Sequence, residues 1–157
     1  MATVRVQEAP IDAGREIAAL TEGRHDVGAI ATFVGVVRDR NEDAAVSGMT
    51  LEHYPGMTER ALEDICAEAA RRWNLIDARV VHRVGPLEPG DAIVLVAVSS
   101  SHRGDAFAAC EFIMDFLKTR APFWKKESTP SGEHWVQARV SDDEAAARWS
   151  GSGKGHS

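Results

Sequence analysis

The sequence predicts an α+β fold, a mixed or mostly antiparallel sheet with covering helices, and three observations carry that prediction. β-rich apolar runs occupy 28–37, 78–85 and 92–100. Apolar residues recur at helical spacing over 58–73 and again over 101–119. Turn signals, Pro55-Gly56 and the Glu-Pro-Gly-Asp of 88–91, separate several of these segments.

The elements follow in order. "TVRVQ" at 3–7 alternates and reads as a strand. In "IDAGREIAAL" Asp12 is a plausible N-cap, with Ile17 and Leu20 facing inward. "GAIATFVGVV" at 28–37 is nearly continuous in apolar residues and is expected to be a central strand. The charged stretch 38–43 reads as a solvated loop, and "SGMTLEHY" at 47–54 as a strand. A helix over 58–73 presents Leu62, Ile65, Cys66, Ala69 and Trp73 on one side. Strands at 78–85 and 92–100 precede a second long helix from about Ser101 to Thr119 or Arg120, expected to bury Phe107, Cys110, Ile113, Met114 and Leu117. Pro122 disfavours helical geometry at Ala121, so that helix should end near Lys118. "HWVQARV" at 134–140 alternates as a last strand. A single domain over 1–149 is expected, with a disordered tail of small and polar residues over 150–157.

Bulk properties exclude several function classes. A net charge of -6 argues against nucleic acid and anionic membrane surfaces as partners. No apolar run approaches a membrane span, and "MATVRVQEAP" lacks a signal peptide's apolar region, so a cytoplasmic protein is expected. Cys66 and Cys110 lie far apart in helical patterns and read as buried, reduced thiols; the six histidines show no ligand spacing. No metal and no cofactor are expected.

Against that acidic background, cations gather at three element ends. Arg38 follows the strand 28–37, and His102 and Arg103 open the helix after the strand 92–100. A helix start offers unpaired N–H groups and a positive dipole end that favour anions. The third place is "LKTRAPFWKKE" at 117–127, where Lys118, Arg120, Lys125 and Lys126 flank Pro122-Phe123-Trp124. Spacing alone supports a soluble α+β domain with a small-anion pocket, while a solvated loop, a helix-end charge and core aromatics explain each place singly.

Longer strings narrow the reading. "GAIATFVGVVRD" (28–39), "TLEHYPGMTERAL" (50–62), "HRVGPLEPGD" (82–91), "VAVSSSHRGDAFAACEFIMDFLKTRAPFWKKE" (96–127) and "GEHWVQAR" (132–139) resemble the large, catalytic subunit of molybdopterin synthase. The resemblance runs over roughly 28–149 and implies the α/β hammerhead fold of that family. It also implies conversion of cyclic pyranopterin monophosphate into molybdopterin by insertion of two dithiolene sulfurs. The sulfur comes from a thiocarboxylate on the C-terminal Gly-Gly of a small ubiquitin-like subunit, a separate polypeptide. A homodimer of large subunits carrying two small ones, a heterotetramer, is implied with it.

Residue by residue, the resemblance makes Lys118 the essential lysine and Lys125 a second catalytic and substrate-contacting lysine, with Lys126 and Glu127 beside it. Val36, Val37 and Arg38 match a substrate-binding turn, and His102 and Arg103 an anion-binding pair. Arg139 matches an arginine reaching into the neighbouring subunit's site, while Phe33 and Met114 match the channel for the partner's tail. An inert homologue that docks a ubiquitin-like protein is the competing expectation. The intact Arg38, His102, Arg103, Lys118 and Lys125 speak against it.

Overall fold

The computed structural model describes residues 2–41, 44–45, 47–130, 132–136, 146–147 and 149. Its main sheet has strands β1 (Ala2–Gln7), β2 (Ala29–Val36), β6 (Asp77–Arg83) and β8 (Ala92–Ser100), in the order β1-β6-β8-β2. β1 runs parallel to β6, and the other pairings are antiparallel. The mixed α+β architecture is therefore as the sequence predicts.

β8 is buried along nearly its whole length because both faces of it are covered. Val94, Val96 and Val98 join the core with α2 (Met57–Arg72) and α3 (Arg103–Arg120), while Leu95 and Ala97 pack with Leu20 beside α1 (Ala13–Ala19). Asp12 caps α1 as expected, its Oδ1 accepting from the Arg15 N–H at 3.1 Å. Glu16, rather than Ile17, joins Leu20 in facing inward from α1. The Glu16 carboxylate is buried between the guanidiniums of Arg5 and Arg79, so its charge is compensated.

One expectation fails in position. The run 28–37 forms an edge strand, with Phe33, Val34 and Val36 exposed, and the centre belongs to β6 and β8. Its continuous apolarity reflects a cavity wall and an uncovered edge. Two-sided burial, the usual cause of such a run, is found in β8 instead.

A second sheet, entirely antiparallel, has the order β10-β9-β5-β7, with β5 (Gly48–His53), β7 (Gly85–Leu87), β9 (Phe123–Thr129) and β10 (Gly132–Val136). A short ribbon of β3 (Arg40–Asn41) and β4 (Ala44–Ala45) lies in the stretch expected to be loop. The expected strand 78–85 is split: Gly85, at φ 85°, turns the chain so that 85–87 pairs in the second sheet. The expected last strand begins earlier, at Gly132, and residues 137–140 lie outside the described residues, as does the tail.

α3 ends at Arg120, within the expected range, and Ala121 takes the extended geometry (φ −73°, ψ 131°) that Pro122 demands. The turn is held from α2. Buried Thr58 receives the Tyr54 N–H at 3.1 Å and donates its hydroxyl to the Pro122 carbonyl at 3.2 Å. Along α3 Cys110, Ile113, Met114 and Leu117 are buried, but Phe107 is 66% exposed and points away from the core.

Gly28 lets the start of β2 lie close against the segment that leads into α3. A Cβ there would lie 2.0 Å from the Ser101 carbonyl oxygen, a backbone atom that cannot move aside cheaply. Gly28→Ala is expected to cost about 2–4 kcal/mol through overpacking and backbone displacement. Chemical denaturation of the purified variant measures it.

Candidate functional site

The two sheets and the C-terminal end of α3 enclose a cavity of about 480 Å³. Arg38, Arg40, Lys118 and Lys125 border it, and Met49, Leu51 and Ile93 give it an apolar floor. Arg38, Lys118 and Lys125 arrive by separate local devices.

Arg38 follows a β-bulge. Gly35 pairs with Val94 and Val36 with Ala92, so Ile93 is the extra residue that bends the pair. Buried Val37 is then pinned to the 88–91 turn, its N–H donating to the Asp91 carbonyl at 2.9 Å and its carbonyl accepting from Gly90 at 2.8 Å. A fixed backbone therefore presents Arg38 to the cavity.

Lys118 stands on the last turns of α3, where the helix dipole favours a cation. Lys125 is placed by the pleat of β9. Phe123, Lys125 and Glu127 share one face of that strand and all line the cavity; Lys126 belongs to the other face and does not. β5 lies alongside with Leu51 opposite Lys125 and Met49 opposite Glu127. Buried Glu127 is the carboxylate among these cations.

The aromatic wedge divides its work. Phe123 stacks on His82 with ring centroids 3.8 Å apart and planes 18° apart, while Trp124 packs against Tyr54 at 4.8 Å. His82 is 5% exposed and lines the cavity. Its Nδ1–H donates to the Arg83 carbonyl at 2.8 Å, which leaves Nε2 as the acceptor of a neutral ring. Burial, with smaller repulsion from Lys118 and His53, pushes the imidazole down to about 4 against the opposing effect of the Arg83 bond.

Because the folded ring holds its proton less tightly than the unfolded one, folding opposes protonation between the two values. Stability is fully kept above about pH 6.5 and falls as pH drops toward 4. We expect His82→Phe to lose about 2.5 kcal/mol less stability than the wild type between about pH 7 and about pH 4.5. Urea unfolding at the two pH values measures the difference.

Of the residues expected from sequence, the cavity unites Phe33, Val36, Val37, Arg38, Lys118, Lys125 and Glu127. Met114 is buried in the main core and does not line it. His102 and Arg103 sit at the opposite end of α3 from Lys118, roughly 24 Å away at the helical rise. They do not reach this cavity from the same chain. Arg139 lies outside the described residues. Sequence reasoning missed His82, whose signal is a lone imidazole inside an apolar strand, and Arg40, assigned to a solvated loop.

A cavity with fixed cations and an apolar floor suits a small anion attached to a partly apolar body, since charges act more strongly at its lowered dielectric. Neither cysteine belongs to it. Burial pushes the Cys66 thiol up to about 12 and the Cys110 thiol up to about 11, so both stay protonated at neutral pH. Among the described residues no cluster of histidine, cysteine or carboxylate side chains could hold a metal ion, and no helix is long and apolar enough to cross a membrane.

Comparison with known proteins adds the following. The model of the MoaE protein family matches residues 6–120. The chain is 64% identical over 149 residues to the molybdopterin synthase catalytic subunit of Ralstonia nicotianae, covering 95% of this chain and 85% of the relative. The structure of the molybdopterin biosynthesis MoaE protein from Burkholderia ambifaria superposes with a TM-score of 0.82 at 61% identity, covering 95% of this chain and 98% of the other. That of molybdopterin synthase from Staphylococcus aureus superposes with a TM-score of 0.78 at 33% identity, covering 84% and 95%.

Proposed function

The chain belongs to the MoaE family of molybdopterin synthase catalytic subunits, and from that premise we propose that its cavity is where two sulfurs enter a cyclic pyranopterin monophosphate. The observation that carries the reading is the meeting of Arg38, Lys118 and Lys125 around one apolar-floored space of about 480 Å³. The enzyme is a sulfurtransferase, its catalytic domain spanning 1–149 and its sulfur arriving as the thiocarboxylate of a small ubiquitin-like subunit.

Each side chain then has a task. Arg38 holds the substrate phosphate with its planar fork, and Lys125 adds a point charge. Exposed Phe33, Val34 and Val36 offer the partner's tail an apolar path to the cavity. Lys118 serves either the terminal carbonyl of that tail, as an acyl acceptor, or the opening phosphate ring, as a proton donor. The buried, protonated Cys66 and Cys110 fit a mechanism in which the partner alone brings sulfur, and free thiols fit a cytoplasmic location.

His102 and Arg103 complete the anion site from a second copy of the chain. One α3 is too long to bring its two ends to a single phosphate, whereas a two-fold dimer can set the start of one α3 against the cavity of the other. Arg139 is assigned to the same cross-subunit set.

The test is a reconstitution of purified protein, thiocarboxylated small subunit and cyclic pyranopterin monophosphate, with the pterin products read by mass spectrometry. A two-sulfur product is expected. No sulfurated pterin, with the charged partner confirmed bound, would overturn the reading and leave a docking module.

A further inference from the structure

We propose that His82 is a positioning residue of this site, its Nε2 accepting a hydrogen bond from the Lys118 ammonium and holding that side chain over the cavity. The inference rests on the function proposed above and adds a residue to it.

Three observations converge. First, the ring cannot turn: it lies flat on Phe123 at 3.8 Å, and its Nδ1–H is committed to the Arg83 carbonyl at 2.8 Å. Nε2, across the ring from that bond, has no hydrogen-bond partner among the described residues. The side chain is more than nine-tenths buried, yet Nε2 is not sealed in, so it keeps access to the cavity as an available acceptor. Second, the residue lines the cavity, so the open acceptor belongs to the same space as Arg38, Lys118 and Lys125. Third, Lys118 borders that cavity from the end of α3 with an exposed side chain, and its charge acts on the imidazole.

The side chains lining the cavity narrow the choice of acceptor for that ammonium. Glu127 can also accept, but it lies on β9 opposite Met49, toward the far end of the strand from Phe123. Lys118 is exposed on a flexible four-carbon stem, and left unrestrained it would sample many rotamers. One acceptor on a rigid ring limits those rotamers. A neutral imidazole suits the task, because an imidazolium would repel the ammonium it should hold. Phe123 thus has a reason to lie beside the lysines: it backs the ring that orients one of them.

His82→Phe retains the stack and most of the volume while deleting Nε2. In the reconstituted reaction its kcat should fall about 10- to 100-fold, as for other small misplacements of a reacting group, with KM for the pterin changed less than about twofold. His82→Gln, whose amide oxygen can stand near the Nε2 position, should recover part of that loss. Wild-type kcat in His82→Phe would overturn the proposal. So would a raised KM at unchanged kcat, which would place Nε2 on the substrate, or a folded His82→Gln as slow as His82→Phe.

A second readout needs neither partner nor pterin, so it stands or falls separately from the proposed reaction. Nitrogen NMR of the imidazole should show the neutral Nδ1–H tautomer near neutral pH, with the Nε2 resonance moving when Lys118 is replaced by alanine. An unmoved Nε2 resonance would rule out the bond to Lys118.

Discussion

Lys118→Ala is expected to abolish dithiolene formation, a loss of at least about 1000-fold in kcat, while the fold and the affinity for the small subunit stay close to wild type. The side chain is exposed at the cavity's edge, so its removal empties no part of the core. The structural cost is limited to a lost cation near a helix C-terminus, about 0.3–1 kcal/mol. Arg38 and Lys125 remain to bind phosphate, so the pterin should still enter. Calorimetric titration with the small subunit and product mass spectrometry separate binding from chemistry. Near-normal product would remove Lys118 from the role given to it.

Phe112→Ala should have the largest effect on stability, about 3–5 kcal/mol. Phe112 is 1% exposed and lies edge-on to Trp73 at 5.4 Å and to Trp149 at 5.5 Å, with Phe116 tilted against it at 4.7 Å. The Arg72 guanidinium sits 4.8 Å from its ring centre. Few side chains nearby can collapse into the space, because Trp149 is itself held through Nε1 by Asp115 at 2.7 Å and through its carbonyl by Arg72. Urea unfolding should show the midpoint falling with little change in slope. A loss below about 1 kcal/mol would mean that the aromatic cluster relaxes freely.

Periodicity made much of this fold legible. The strand over 92–100 matches β8 residue for residue, and the helix over 58–73 differs from α2 by one position at each end. Both segments carry patterns set by burial, which is what periodicity records. The misplaced elements are those shaped by something else. Residues 28–37 looked central because an edge strand lining a cavity is as apolar as a buried one. β9 was hidden because its pocket face alternates an aromatic with two charged side chains, Phe123, Lys125 and Glu127. Phe107 fits the helical stripe by spacing yet faces outward.

The site was legible as a set of cations at element ends, and its grouping was not. Three ends drew notice equally, yet the cavity takes Arg38, Lys118 and Lys125 and leaves His102 and Arg103 a helix length away. The separation between α3's ends follows from its length, but which end meets the bulge after β2 is decided by sheet order. His82 could not stand out, because its importance lies in what it stacks on and in one open nitrogen.

The proposed anion site joins the cavity of one copy to the start of α3 of another. Its most direct test mixes two inactive variants, Lys118→Ala and Arg103→Ala, after dissociation and reassembly, in the reconstituted reaction. Random pairing makes half of the dimers mixed, each with one intact site, so roughly a quarter of wild-type activity should return. No recovery, with mixed dimers confirmed by native mass spectrometry, would contradict a shared site and confine the chemistry to the residues of one chain.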